Sequence, residues 1–214
     1  MRVKICGLTR EKDVQAALDN GADAVGFVVA SPDSPRNLSL SKARKLAQSV
    51  PIFVSKVAVT ITGDIRVVKE ICSTLHPNAL QLYSHNAHLV HRIRISYPET
   101  KVILATGIRD KASILEATGA VKNSDAILAD TPGNKGMGGT GHVHDWKLTA
   151  TLRKRIYPHP LILAGGLNAQ NVRLAIKEVA PYGVDVSSGV ERAIGIKDHE
   201  KIREFITNAK ETSS

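Results

Sequence analysis

Short apolar runs recur along the chain at residues 3–5, 24–29, 52–59, 79–82, 101–104, 126–129, 161–163 and 183–186. They are mostly β-branched, and each is short enough to be a strand buried on both faces of a parallel sheet. Between them lie stretches with helical spacing, at 11–20, 39–49, 65–75, 87–96, 112–118, 145–156, 168–179 and 198–209. Ser39, Asp145, Asn168 and Asp198 stand where N-caps belong, Gly21 and Gly119 stand after helical stretches, and Pro51, Pro77 and Pro181 follow others. Eight strands alternating with eight helices, repeating about every 25 residues, predict a closed (β/α)8 barrel, with residues 1–214 as a single domain. An open doubly wound sheet is the alternative. It calls for a glycine-rich phosphate turn after the first strand, and the run CGLTRE there holds one glycine.

Composition narrows the class. Charges at Arg2, Lys4 and Arg10 interrupt any leader-like apolar run, and no stretch approaches the ~20 apolar residues of a membrane helix. Cys6 and Cys72 fit no metal or disulfide spacing, so a reducing cytoplasm is the expected home. The net charge of +9 suits an anionic partner, either nucleic acid or a phosphorylated, carboxylated small molecule. With aromatics at 4% there is little to stack bases on, which favours the small molecule.

In a barrel the chemistry gathers at the C-terminal ends of the strands. The first strand ends in Cys6-Gly7, the second feeds a loop holding Arg36, the fourth feeds Gln81-Leu82-Tyr83-Ser84, and the sixth ends in Asp130-Thr131. Gly165-Gly166 and Ser187-Ser188-Gly189 follow the seventh and eighth strands, where backbone N–H groups can approach a phosphate. The long sixth loop carries Gly138-Gly139-Thr140-Gly141, which fits a lid that closes over a ligand. Asp130 is either an acid holding its proton in a dry pocket or a cap on the following turn. Strand alternation puts Lys4 and Cys6 on one side, with Asp185 the expected partner of Lys4, whose ammonium is expected to lower the thiol pKa. The histidines at 76, 85, 88 and 91 have no established metal spacing and read as a solvated face, and Cys72 reads as a small core residue.

Taken together, the runs VKICGLT, GADAVGFV, SPRNLS, the DT at 130–131 with GGTG and DW, AGGLNAQNV and GVDVSSGVE resemble the phosphoribosylanthranilate isomerases of tryptophan biosynthesis. The resemblance implies a cofactor-free, metal-free Amadori rearrangement of N-(5-phosphoribosyl)anthranilate to its 1-deoxyribulose 5-phosphate isomer. Cys6 matches the general base, Asp130 the general acid, and Arg36 the residue that holds the anthranilate carboxylate. Gly139, Gly141, Gly165, Gly166, Ser187, Ser188 and Gly189 match the phosphate cradle. Gly7 would leave room for substrate beside the thiol. The expected partner is this small molecule, with no nucleic acid and no membrane, on a monomer or homodimer. Two positions depart from the pattern: Tyr83-Ser84 replaces a histidine–glycine pair, and His144 replaces a phenylalanine before Asp145-Trp146. The rival readings are another phosphosugar isomerase or epimerase on the same barrel, or a non-catalytic basic protein that binds phosphosugars or nucleic acid.

Overall fold

The structure, a computed structural model, describes residues 1–83, 86–132 and 143–212. Eight parallel strands form the centre: β1 (Arg2–Ile5), β2 (Ala24–Val29), β3 (Ser55–Thr60), β4 (Ala79–Leu82), β5 (Lys101–Gly107), β6 (Ala126–Asp130), β7 (Leu161–Leu163) and β8 (Gly183–Val186). Each pairs with the next in order. β1 pairs with both β2 and β8, Lys4 lying opposite Asp185, so the ring closes as expected. The helices around it are α1 (Glu11–Asp19), α2 (Leu40–Gln48), α3 (Ile65–Leu75), α4 (Ala87–Ser96), α5 (Lys111–Ala120), α6 (Trp146–Ile156), α7 (Val172–Val179) and α8 (His199–Glu211). A two-residue strand, Asn37–Leu38, extends the sheet beside β2, and a small antiparallel hairpin, Glu191–Ala193 with Ile196–Lys197, follows β8. No helix among the described residues is long and apolar enough to cross a membrane.

Alternation along the strands sorts the side chains into two apolar sets. Val3, Ile5, Val25, Phe27, Ala58, Leu80, Leu104 and Ile127 face outward and pack with the helices in one large core. Val28, Val57, Val59, Ile103, Ala105, Leu128 and Ala164 fill the barrel itself, and Cys6 sits among them. This layered interior leaves a few polar side chains in the ring, and those define the site.

Several boundaries differ from the pattern, and three of them have a clear local reason. β3 starts at Ser55 rather than at 52, because the turn after Pro51 carries Ile52 and Phe53 into solvent, 91% and 95% exposed. α7 starts at Val172 rather than at 168: the Asn168 side chain accepts from the amides of Gln170 and Asn171, which closes a turn instead of capping a helix. α5 runs through Gly119 to Ala120, started by Asp110, whose carboxylate accepts from the Ser113 amide. The caps at Ser39, Asp145 and Asp198 form as expected.

Candidate active site

At the C-terminal end of the ring one pocket is lined by Cys6, Arg36, Tyr83, Asp130, Gly165, Gly166, Ser187, Ser188 and Gly189, with Gln81 and Asp185 at its floor. Seven of the sequence candidates at strand ends and the loop arginine therefore meet in one place. Gly139 and Gly141 lie outside the described residues, as do Ser84 and His85. A larger cavity opens at the opposite end of the barrel, between Arg2, Phe53, Asn78, Lys101 and Tyr182. It contains neither Cys6 nor Asp130, and strand ends at that face serve stability rather than chemistry.

Cys6 is 6% exposed at the end of β1. Its space comes from β2: a Cβ on Gly26 would lie 2.8 Å from its Sγ. Gly7 has a different task from the expected one. Its φ is +69°, and a Cβ there would meet Arg36 Cδ at 2.5 Å and Ser187 Oγ at 2.8 Å. The space left by Gly7's missing Cβ is thus taken by Arg36 and Ser187 rather than by substrate.

Below the thiol, Lys4 Nζ donates to Asp185 Oδ1 and to Gln81 Oε1, each at 3.0 Å, and all three side chains are buried. Burial alone lowers the ammonium's pKa, but Asp185 and the thiol together hold it above the ordinary value. The expected lowering of the thiol pKa does not result. Burial pushes Cys6 up, and the opposing pull of Lys4 only partly offsets it, with Asp185 adding to the rise.

Asp130, at the end of β6, is 5% exposed. Its Oδ1 accepts from the Thr131 amide at 2.7 Å and its Oδ2 from the Tyr83 hydroxyl at 3.0 Å. Burial raises its pKa to about 6, with Asp185 pushing the same way and the Tyr83 hydrogen bond opposing. The carboxyl thus combines both readings of the sequence, keeping its proton up to about pH 6 while bonding the next amide. His144 is half-buried beside the next residue, hydrogen-bonded to Thr131 Oγ1 at 3.2 Å and Thr149 Oγ1 at 2.6 Å, and burial lowers its pKa to about 4.

Arg36 is held by a partner that sequence reasoning missed. Its Nε and Nη2 donate to the two carboxylate oxygens of Glu191 at 2.7 and 2.6 Å, a bidentate pair with both side chains mostly buried. Lys197, fully buried in the hairpin, donates to Glu191 Oε1 at 3.0 Å and to the Ser187 carbonyl at 2.9 Å. Burial tends to raise the Glu191 pKa, but its two cationic partners hold it below the ordinary carboxylate range. Two cations thus share one carboxylate beside the pocket, which leaves a net positive charge suited to an anion. Glu191 closes the run DVSSGVE just past the end of β8, a signal available in the sequence. Lys197, between Ile196 and the helix-capping Asp198, looks like an ordinary surface charge.

His88 and His91 are exposed on α4, and among the described residues no group of three or more histidines, cysteines or carboxylates is placed to hold a metal. Cys72 is buried in the outer core as expected, and its thiol is pushed up to about 11 by burial.

Residues 3–208 match the family model described as N-(5'phosphoribosyl)anthranilate (PRA) isomerase. The chain is 42% identical to the N-(5'-phosphoribosyl)anthranilate isomerase of Halorubrum lacusprofundi, over 97% of this chain and 96% of that one. Among solved structures it is similar to phosphoribosyl anthranilate isomerase from Thermotoga maritima, with a TM-score of 0.88, 38% identity and 99% of each chain covered. It is also similar to a phosphoribosyl anthranilate isomerase in complex with reduced 1-(o-carboxyphenylamino)-1-deoxyribulose 5-phosphate, with a TM-score of 0.86, 37% identity and 99% of each chain covered.

Proposed function

The chain belongs to the N-(5'-phosphoribosyl)anthranilate isomerase family, and from that premise we propose that Cys6 is the general base and Asp130 the general acid of its reaction. The protein is an isomerase of tryptophan biosynthesis. The observation that carries the residue assignment is the pocket itself. A thiol and a proton-holding carboxyl, far apart in the chain, line it together with an arginine and two glycine-bearing turns.

The substrate is N-(5-phosphoribosyl)anthranilate and the reaction an Amadori rearrangement. Asp130 gives its proton to the ring oxygen as the bond from that oxygen to C1 breaks, and the anilino nitrogen's lone pair forms the C1–N double bond. Cys6, as thiolate, removes the proton from C2, and the electron pair left behind shifts to form an enolamine. Protonation at C1 and loss of the C2 hydroxyl proton then give the ketose, 1-(2-carboxyphenylamino)-1-deoxyribulose 5-phosphate. Every electron stays within the substrate, so the chemistry calls on no external electron carrier. Acid and base of this kind each supply roughly 10²–10⁴-fold.

Arg36, pinned by Glu191, takes the anthranilate carboxylate through the charge it keeps toward the pocket. Gly165, Gly166, Ser187, Ser188 and Gly189, with Gly139 and Gly141 from the sixth loop, cradle the phosphate through backbone amides. This grip holds the sugar between acid and base. A reducing cytoplasm keeps Cys6 a thiol, as its proposed role demands. The test is the fluorescence of phosphoribosylanthranilate, which purified protein should consume. Cys6→Ser should lose most turnover yet still bind the reduced product analogue. Near wild-type turnover in that variant would remove the base assignment.

A further inference from the structure

We propose that Tyr83 is a positioning residue for proton transfer from Asp130, its hydroxyl donating to Oδ2 and steadying the carboxylate that forms as the proton leaves. The inference rests on Asp130 being the acid, and it goes beyond that reading by assigning a role to the position where this chain departs from its family's pattern.

The directions of the hydrogen bonds order this group of side chains. The Lys4 ammonium can only donate, so the Gln81 atom it reaches at 3.0 Å is the carbonyl oxygen. That fixes the amide, and its nitrogen faces the Tyr83 oxygen across a long 3.5 Å contact. The Tyr83 oxygen is therefore on the accepting side there, and its own hydrogen is free to point at Asp130 Oδ2, 3.0 Å away. On the other oxygen, the Thr131 amide donates to Oδ1 at 2.7 Å. The two donors thus hold the carboxyl from both ends.

Tyr83 also acts differently on the two forms of the acid. Its bond to neutral Asp130 is an ordinary one, whereas its bond to the carboxylate formed as the proton leaves is charge-assisted and stronger. The hydroxyl therefore helps the proton depart and opposes its return. The other charged groups acting on Asp130 are Asp185, which makes ionisation harder, and Lys4, which makes it easier. Cys6 and Arg36 line the same pocket. Tyr83 itself stays neutral, because burial and the facing Asp130 push its phenol well above the ordinary range.

The test is Tyr83→Phe, which keeps the ring and removes the hydroxyl. The Asp130 carboxyl is followed by carbon-detected NMR of labelled protein across pH, alongside kcat and melting temperature. The expected result is a titration midpoint higher than in the wild type by roughly half to one pH unit. At pH 5, where the acid starts protonated, kcat should fall about fivefold. At pH 8, where Asp130 starts as carboxylate and loses as much as the transition state does, it should stay within about twofold. An unmoved midpoint overturns the proposal, and so does a moved midpoint with kcat intact at pH 5. A uniform loss at all pH values, tracking a lower melting temperature, also overturns it by reducing Tyr83 to a structural role. Asp130→Asn, measured in parallel, separates the two levels: if that variant keeps full turnover, the acid assignment has failed rather than the role of Tyr83 alone.

Discussion

Removing Asp130 should change the shape of the pH–rate profile as well as its height. Asp130 titrates near 6, while burial holds the Cys6 thiol above its ordinary value. The reactive form needs the reverse of the commonest arrangement, with the weaker acid ionised and the stronger one protonated. At pH 7 a carboxyl titrating at about 6 is about one-tenth protonated, and a thiol held above its ordinary value is thiolate in a minor fraction only. The competent fraction is smaller than either. Between pH 6 and the thiol's own pKa, each unit of pH multiplies the thiolate tenfold and divides the protonated acid tenfold, so wild-type kcat should be flat. Asp130→Asn removes the second factor. Its residual kcat should lie roughly 10²–10⁴-fold below wild type at pH 7 and climb about tenfold per pH unit across the former plateau. Cys6→Ser should show the mirror image, a residual rate that falls as pH rises. The assay is the loss of substrate fluorescence at saturating substrate from pH 5.5 to 9. A flat residual profile in Asp130→Asn would refute the reasoning, because it would mean that the carboxyl's protonation never entered the rate.

The other predictions concern stability and the surroundings of the site. Asp130 has a raised pKa when folded, so it stabilises the fold only while protonated, and that contribution is lost as pH rises through about 6. Asp130→Asn should therefore be more stable than wild type at pH 8, by up to about 3 kcal/mol in urea unfolding, with the gap closing near pH 4. A destabilised variant at pH 8 would mark Asp130 as a structural cap. Lys4→Met strands Asp185 in the barrel and should cost about 3–5 kcal/mol, part of which Lys4→Met with Asp185→Asn recovers; equal losses in both would show that the pair is not coupled. Arg36→Ala should raise KM by about tenfold or more with a smaller change in kcat, and an unchanged KM would clear it of substrate binding. Gly26→Ala places a methyl 2.8 Å from Cys6 Sγ and should lower kcat more than KM, whereas wild-type kinetics would show that the thiol has slack.

The barrel was legible because its signals are local and periodic. β-Branched runs with a spacing near 25 residues, and caps at Ser39, Asp145 and Asp198, survive folding unchanged. Cys6, Asp130 and the turns at 165–166 and 187–189 were legible because position at a strand end converts directly to position at the mouth. Partnership was harder to read. The Arg36–Glu191 fork joins residues 155 apart, and a charged side chain in a loop looks the same whether solvated or pinned. Lys197 is buried by a hairpin too short to leave a pattern. The thiol's pKa was misjudged because adjacency to an ammonium is visible in an alternating strand, whereas the cost of burying both groups appears only once the ring has closed around them. Gly7 misled in the same way, since the neighbour that needs its missing Cβ, Arg36, comes from another loop.

The most direct measurement is a crystal structure of this protein with reduced 1-(o-carboxyphenylamino)-1-deoxyribulose 5-phosphate. The account predicts Cys6 Sγ against C2 of the sugar, the Asp130 carboxyl against the hydroxyl derived from the ring oxygen, and the phosphate on the turns after β7 and β8. A ligand with its phosphate at Asp130, or with C2 turned away from the thiol, would contradict it.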